Sequence, residues 1–117
     1  MEFEVKKQSD NQAIVELVGR LDANTADTFK TALKDTVTSG STLLVVNMQA
    51  VSFIDSSGLS ALVSGFKAVH GQGGALVLAN VGPQTQVALE MTRLNRILLI
   101  HTDVASALES FREKSLR

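Results

Sequence analysis

The sequence predicts an α/β fold: a mixed, mostly parallel sheet with an N-terminal antiparallel hairpin and about four helices, in one domain over residues 1–117. Three observations carry this. The first residues alternate apolar and charged at a period of two, as a half-exposed strand does. Downstream, apolar residues recur at helical spacing in several separate stretches. Between those stretches lie short continuous apolar runs, the pattern of strands buried on both faces of a parallel sheet.

The elements follow in order. Phe3 and Val5 alternate with Glu2, Glu4 and Lys6, giving a strand. Ser9, Asp10 and Asn11 supply a turn. Ala13 to Val18 reads as the returning strand of a hairpin. In GRLDANTADTF, Asn24 or Thr25 caps a helix, with Asp27 at the favourable end of its dipole. Ala26, Phe29, Leu33 and Val37 mark its apolar face from about Thr25 to Thr38, and Gly40 stops it.

Leu43 to Val46 is a buried strand, and MQAVSF is expected to link it to a second helix. The apolar face of that helix is Leu59, Leu62, Val63, Phe66 and Val69, and it ends near Gly71. Ala75 to Ala79 is the next strand. Pro83 is placed to open a third helix, with Val87, Met91 and Leu94 as its stripe. Ile97 to Ile100 is expected to be the last strand. Thr102 or Asp103 caps a final helix, whose buried face is Val104, Ala107, Leu108 and Phe111.

Composition narrows the function classes. With 44% hydrophobic and 20% charged residues the chain is neither disordered nor fibrous. A net charge of -1 gives no general attraction to nucleic acid or anionic membrane. The absence of cysteine removes disulfides and thiolate metal sites. The N-terminus lacks the apolar core of a signal peptide, and no apolar run is long enough to span a bilayer. A cytoplasmic protein, without nucleic acid or membrane as direct partner, is the expectation.

In an open α/β sheet the C-terminal ends of the parallel strands share an edge, where sites form. That topology brings Asp22, Asp55, Ser56, Ser57, Asn80 and His101 near one edge. GQGG, residues 71–74, leaves a helix and enters a strand, the reverse of a phosphate-binding glycine loop. A hydrolase built on Ser56 and His101 lacks the GxSxG elbow. Asp22 and Asp55 are a weak pair for magnesium, and Asp22 equally suits hydrogen bonds to loop amides.

The remaining feature is DSSG at a helix start. Asp55, Ser56 or Ser57 caps that helix, which by itself explains the motif. The same position favours an anion, through free amides and the helix dipole. Between the core positions of the helix lie Ser60, Ala61, Ser64 and Gly65, small enough for a partner to approach closely or for tight packing within the domain.

VVNMQAVSFIDSSGLSALVSGFKAV resembles the signature of STAS domains, most closely that of bacterial anti-sigma factor antagonists. GRLDANTADTF resembles an upstream segment of that family, and GGALVLANVGPQTQVALEMTRLNRILLIHTDVASAL its last third, so the similarity covers nearly the whole chain. The resemblance implies a STAS-like fold and a non-catalytic partner switch without a cofactor of its own. An anti-sigma factor that is also a serine kinase binds the unmodified form and, holding ATP, phosphorylates the first serine after the aspartate, here Ser56. A metal-dependent serine phosphatase reverses the step. Asp22, Asn24, Thr25, Asp55, Ser57, Gly58, Ser60, Ala61 and Ser64 are the expected partner-binding residues, in a monomer or weak dimer. The alternative is a STAS-like scaffold without regulatory phosphorylation, acting on a pathway other than a sigma factor.

Overall fold

The computed structural model describes residues 2–115. Its elements are β1 (Glu2–Lys7), β2 (Gln12–Leu21), α1 (Ala26–Thr38), β3 (Leu43–Ile54), α2 (Ser56–Gly71), β4 (Ala75–Ala79), α3 (Pro83–Met91), a 3-10 turn (Leu94–Arg96), β5 (Ile100–His101) and α4 (Val104–Ser115). The strands lie in the spatial order β1-β2-β3-β4-β5. β1 is antiparallel to β2, and every later pair is parallel. The mixed sheet, the hairpin and the four helices agree with the sequence reading.

The strand order has a direct consequence for the layers. Each parallel crossover advances by one strand in the same direction, so right-handed connections put α1, α2 and α3 on one face. The main core lies there: Phe29 and Leu33 of α1, Leu59 and Leu62 of α2 and Leu89 of α3 pack on Val15, Leu17, Leu44, Val46, Leu76 and Leu78. α4 comes after the last strand and covers the opposite face. Its Ala107 and Phe111 close over Ile14, Leu43, Val45, Val77 and Ala79. Strand residues of both faces are therefore buried in β3 and β4, which is why those strands read as continuous apolar runs.

Three expectations are corrected. MQAVSF is not a link: β3 continues to Ile54, and β2 runs beside it as far as Leu21. β4 ends opposite Asn47, so the rest of β3 projects with β2 as a two-stranded ribbon. Its register shifts between Glu16 and Val18 and again between Gly19 and Arg20, and those irregularities break the alternation that marks a strand in sequence.

The stripe expected for α3 is also reversed. Val87 and Met91 are 53% and 81% exposed, whereas Thr85 and Leu89 are buried. Leu94 packs on the core from the 3-10 turn, beyond the end of α3. A threonine on the inward face hid the true stripe.

Finally, residues 97–99 are not strand, and only Ile100 and His101 pair with β4. The chain must first reverse direction through Arg93, at φ 61°, and the 3-10 turn. Ile97 and Leu99 are left exposed while Leu98 is buried.

Candidate functional site

Two loop ends define the site. After β2, the turn at residues 22–25 is held by its own side chains. The Asp22 amide donates to Thr25 Oγ1 at 2.9 Å, and the Asn24 amide donates to Asp22 Oδ1 at 3.0 Å. Thr25 Oγ1 in turn donates to the Arg20 carbonyl at 3.0 Å. Thr25 occupies the N-cap position of α1 without a side-chain cap bond, because its hydroxyl is committed to this turn. The Asp22 carboxylate thus does bond a loop amide, that of Asn24.

Partial burial pushes the Asp22 carboxyl up. The Arg20 guanidinium at 3.3 Å, the Asn24 amide, the Arg20 charge and the Thr25 hydroxyl outweigh it and hold the carboxyl below its usual range. Arg20 also lies over the Phe53 ring, 4.2 Å from its centroid, a cation–π contact across the β2–β3 ribbon.

The second loop end is the passage from β3 into α2. The Asp55 amide donates to the Leu21 carbonyl at 3.3 Å, which places the two loop ends side by side. Asp55 is the cap of α2: its Oδ1 accepts from the Gly58 amide at 3.1 Å. Capping is thereby assigned among the three residues that compete for it in sequence. Ser56 is left as the first residue of a 16-residue helix, exposed, with its hydroxyl not required as a cap.

A side chain from elsewhere fixes this passage. Beyond β4, the backbone of Ile54 faces a side of β3 that no strand among the described residues covers. Gln84, in the first turn of α3, fills the gap: its Oε1 accepts from the Ile54 amide at 3.2 Å and its Nε2 donates to the Ile54 carbonyl at 3.1 Å. The carboxamide replaces the missing strand one residue before Asp55.

On α2, Ser56, Leu59, Ser60, Val63, Ser64 and Lys67 line a groove whose other wall is Thr92 and Leu94. The spacing of the α2 residues is that of one helix face. Asp22 and Ser57 are half-buried and do not line this groove, and Asn24 is exposed.

Two of the expected contact residues are placed otherwise. Gly58 and Ala61 are buried within the domain. A Cβ on Gly58 would collide with the Leu21 carbonyl oxygen and with the Ile54 side chain at 2.7 Å. Gly65 is likewise buried, with room for no Cβ against Leu33 Cδ1 at 2.5 Å. These three small residues let α2 lie close to its own domain, while Ser60 and Ser64 face outward.

Asn80 and His101 share the strand-end edge but lie on the other face. Asn80 Nδ2 donates to Asn47 Oδ1 at 3.0 Å, and Asn47 Nδ2 donates to Glu16 Oε2 at 3.2 Å. Lys6 extends this row by pairing with Glu16 at 2.7 Å. His101 stands opposite Ala79 in the register, on the α4 side, and its Nε2 is buried without a hydrogen-bond partner. Among the described residues no hydrogen bond joins His101 to Ser56, and no group of three or more acidic or histidine side chains is placed to hold a metal ion. No helix among them is long and apolar enough to cross a membrane.

Sequence reasoning missed Gln84, Lys67, Thr92 and Leu94. Lys67 was within reach, because it continues the Ser56, Ser60, Val63, Ser64 spacing of α2. Gln84, Thr92 and Leu94 come from a separate element and meet the site only through the fold.

A mixed sheet in chain order, with three helices on one face, one on the other, and a capped helix start presenting a free serine, defines a STAS-type module. The chain belongs to the STAS domain family, whose profile matches residues 2–107. It is similar to the anti-sigma-B factor antagonist of Bacillus subtilis (strain 168), 32% identical over 92 residues that cover 79% of this chain and 84% of that one. A Thermotoga maritima structure superposes with a TM-score of 0.88 at 26% identity, covering 94% of each chain. The phosphorylated form of SpoIIAA, a Bacillus cell fate determinant, shares the fold with a TM-score of 0.74 at 18% identity, covering 93% of this chain and 98% of that one.

Proposed function

We propose that this chain is a non-catalytic partner switch, controlled by phosphorylation of Ser56. In the unmodified form it binds, in the cytoplasm, an anti-sigma factor that is also a serine kinase. The kinase brings the ATP. Ser56 Oγ attacks the γ-phosphorus, the new O–P bond forms as the bond to the β-phosphate oxygen breaks, and ADP leaves. The serine proton passes to a base on the kinase. A metal-dependent serine phosphatase returns the chain to its binding form.

The observation that carries the proposal is the division of labour at the start of α2. Asp55 caps the helix, so Ser56 is exposed and free at the mouth of a groove. The similarity to an anti-sigma factor antagonist supports the choice of partner. Asp22, Asn24, Thr25 and Asp55 form the rim that meets the kinase beside the acceptor. Ser57, Ser60 and Ser64 flank the docking groove, and Gly58 and Ala61 act from beneath by setting how closely α2 lies on the sheet.

The switch is electrostatic. A phosphate brings about -1.5 to -2 charges to a helix start, where the amides and dipole tolerate it. The fold therefore survives modification. In a docked complex the same charge is desolvated against a surface formed around a neutral hydroxyl, a loss of several kcal/mol.

The test is incubation with the cognate kinase and ATP, followed by peptide mapping. Phosphate is expected on Ser56, and Ser56→Ala is expected to accept none while still binding. Ser56→Asp should weaken binding. Phosphate on another residue would overturn the assignment to Ser56, and unchanged binding by the phosphorylated chain would leave a scaffold without regulatory phosphorylation.

A further inference from the structure

β1 is an edge strand, and all six of its residues are exposed. The direction of its open backbone groups follows from the hairpin. The Gln8 amide donates to the Gln12 carbonyl at 2.8 Å, and pairing continues as Lys6 with Ile14, Glu4 with Glu16 and Glu2 with Val18. Hydrogen-bonded and non-hydrogen-bonded pairs alternate in an antiparallel ladder. The even residues are therefore bonded to β2, and Phe3, Val5 and Lys7 turn their amides and carbonyls away from the sheet.

We propose that the partner of this edge is β1 of a second copy of the chain, joined antiparallel about a two-fold axis at Val5. The charge order of the strand selects that arrangement. With Val5 opposite Val5, Glu4 stands opposite Lys6 on both sides of the axis, and Phe3 stands opposite the stem of Lys7. Shifting the centre to Glu4 puts two glutamates face to face, and shifting it to Lys6 does the same with two lysines.

In the Val5-centred register the outward backbone groups of Phe3, Val5 and Lys7 are the ones that meet. The two Glu4–Lys6 pairs fall at the non-hydrogen-bonded positions, where side chains are closest. Lys6 already pairs with Glu16 of β2 at 2.7 Å, on the same face as Glu4. Charges on an edge ordinarily keep other strands away. This order of charges is complementary to its own inverse.

The apolar side chains have a place in the same assembly. Phe3 and Val5 are 39% and 40% exposed and lie beside Thr28, Thr31 and Ala32 of α1 in an open groove. The two-fold axis is normal to the sheet, so both copies contribute Phe3 and Val5 to one floor between their α1 helices. The contact is one strand wide, well below the usual area of a permanent dimer, and the association is weak. It lies on β1, away from the groove beside Ser56, and is independent of the switching proposal.

The experiment is sedimentation equilibrium of the full chain over a concentration series, with Glu4→Lys, Lys6→Glu and Val5→Pro variants checked for folding by circular dichroism. The wild type is expected to show a monomer–dimer equilibrium weakened by salt. Each charge reversal turns two attractions into two repulsions and should weaken dimerisation about tenfold or more. An equimolar mixture of Glu4→Lys with Lys6→Glu places opposite charges across the strand again and should restore association as a heterodimer.

Val5→Pro removes an outward amide that β2 does not use, and should abolish dimerisation even if Lys6→Glu fails to fold. A wild type that stays monomeric to roughly 1 mM would overturn the proposal. So would a dimer that keeps its strength in Val5→Pro, or a mixture that fails to associate.

Discussion

Replacing Gln84 by alanine removes both hydrogen bonds to the Ile54 backbone, at 3.2 and 3.1 Å, and leaves the rest of α3 in place. Ile54 is 2% exposed, so its amide and carbonyl are shielded except where the carboxamide meets them. Two neutral hydrogen bonds at about 1 kcal/mol each give a loss of about 2 kcal/mol. Water entering the space lowers that value, and incomplete solvation of either group raises it. For a chain of this length the melting temperature should fall by roughly 6–10 °C.

Urea and thermal unfolding measure the global loss, and amide hydrogen exchange locates it. The Ile54 amide should lose protection well beyond the change seen at Val45 or Leu78. Gln84→Glu sharpens the comparison. It keeps an acceptor for the Ile54 amide but turns a second carboxylate oxygen toward the Ile54 carbonyl, so it should be less stable than wild type at neutral pH. A Gln84→Ala chain with wild-type stability and unchanged Ile54 exchange would refute the view that this side chain substitutes for the absent strand.

Gly58→Ala should destabilise by roughly 1–3 kcal/mol in urea denaturation, because its Cβ meets the Leu21 backbone oxygen, which cannot move aside as a side chain does. Leu89→Ala should cost about 2–5 kcal/mol in the same measurement, while Met91→Ser should stay within about 0.5 kcal/mol, since Leu89 is fully buried and Met91 is 81% exposed. Acid should loosen the turn after β2 and the start of α4. The Asp22 carboxyl is held low as described, and the Ser106 amide and hydroxyl hold that of Asp103 low, so both stabilise above their ordinary value of 3.8 and lose that contribution as pH falls through their lower folded values. Asp22→Asn and Asp103→Asn should flatten stability against pH below about 4 in an acid titration.

The fold was legible where one physical signal dominated. β4 is legible to the residue, because Ala75 to Ala79 is covered on both faces and nothing competes with the apolar run. α1 was legible because Ala26, Phe29 and Leu33 recur at helical spacing and are all buried on its inward face. The far half of β3 was not, since a two-stranded ribbon with shifted register buries Met48 and Ile54 but leaves Gln49 and Ala50 in solvent.

The end of the sheet is not legible for a related reason. Four consecutive apolar residues, Ile97 to Ile100, suggested a strand, yet the turn required after α3 consumes three of them. At the site, local chemistry was readable: DSSG announced a capped helix. Which residue caps was not, because Asp55 and both serines satisfy the same amides on paper and only the geometry at Gly58 separates them. Gln84 was invisible for want of any local sign that Ile54 lacked a neighbour.

The agreement between strand order and chain order bears on how the molecule assembles. Glu16 and Asn47, bonded neighbours on adjacent strands, are only 31 residues apart, and no strand has to wait for a segment from the far end of the chain. The entropy of closing each crossover is therefore moderate, and successive crossovers add to an edge that already exists. Such a sheet can grow from the hairpin outward as the chain is made, each strand covering the edge its predecessor left open. Growth stops at β5, which is two residues long and too short to recruit a further strand. Of the two edges, the long one is the one laid down first.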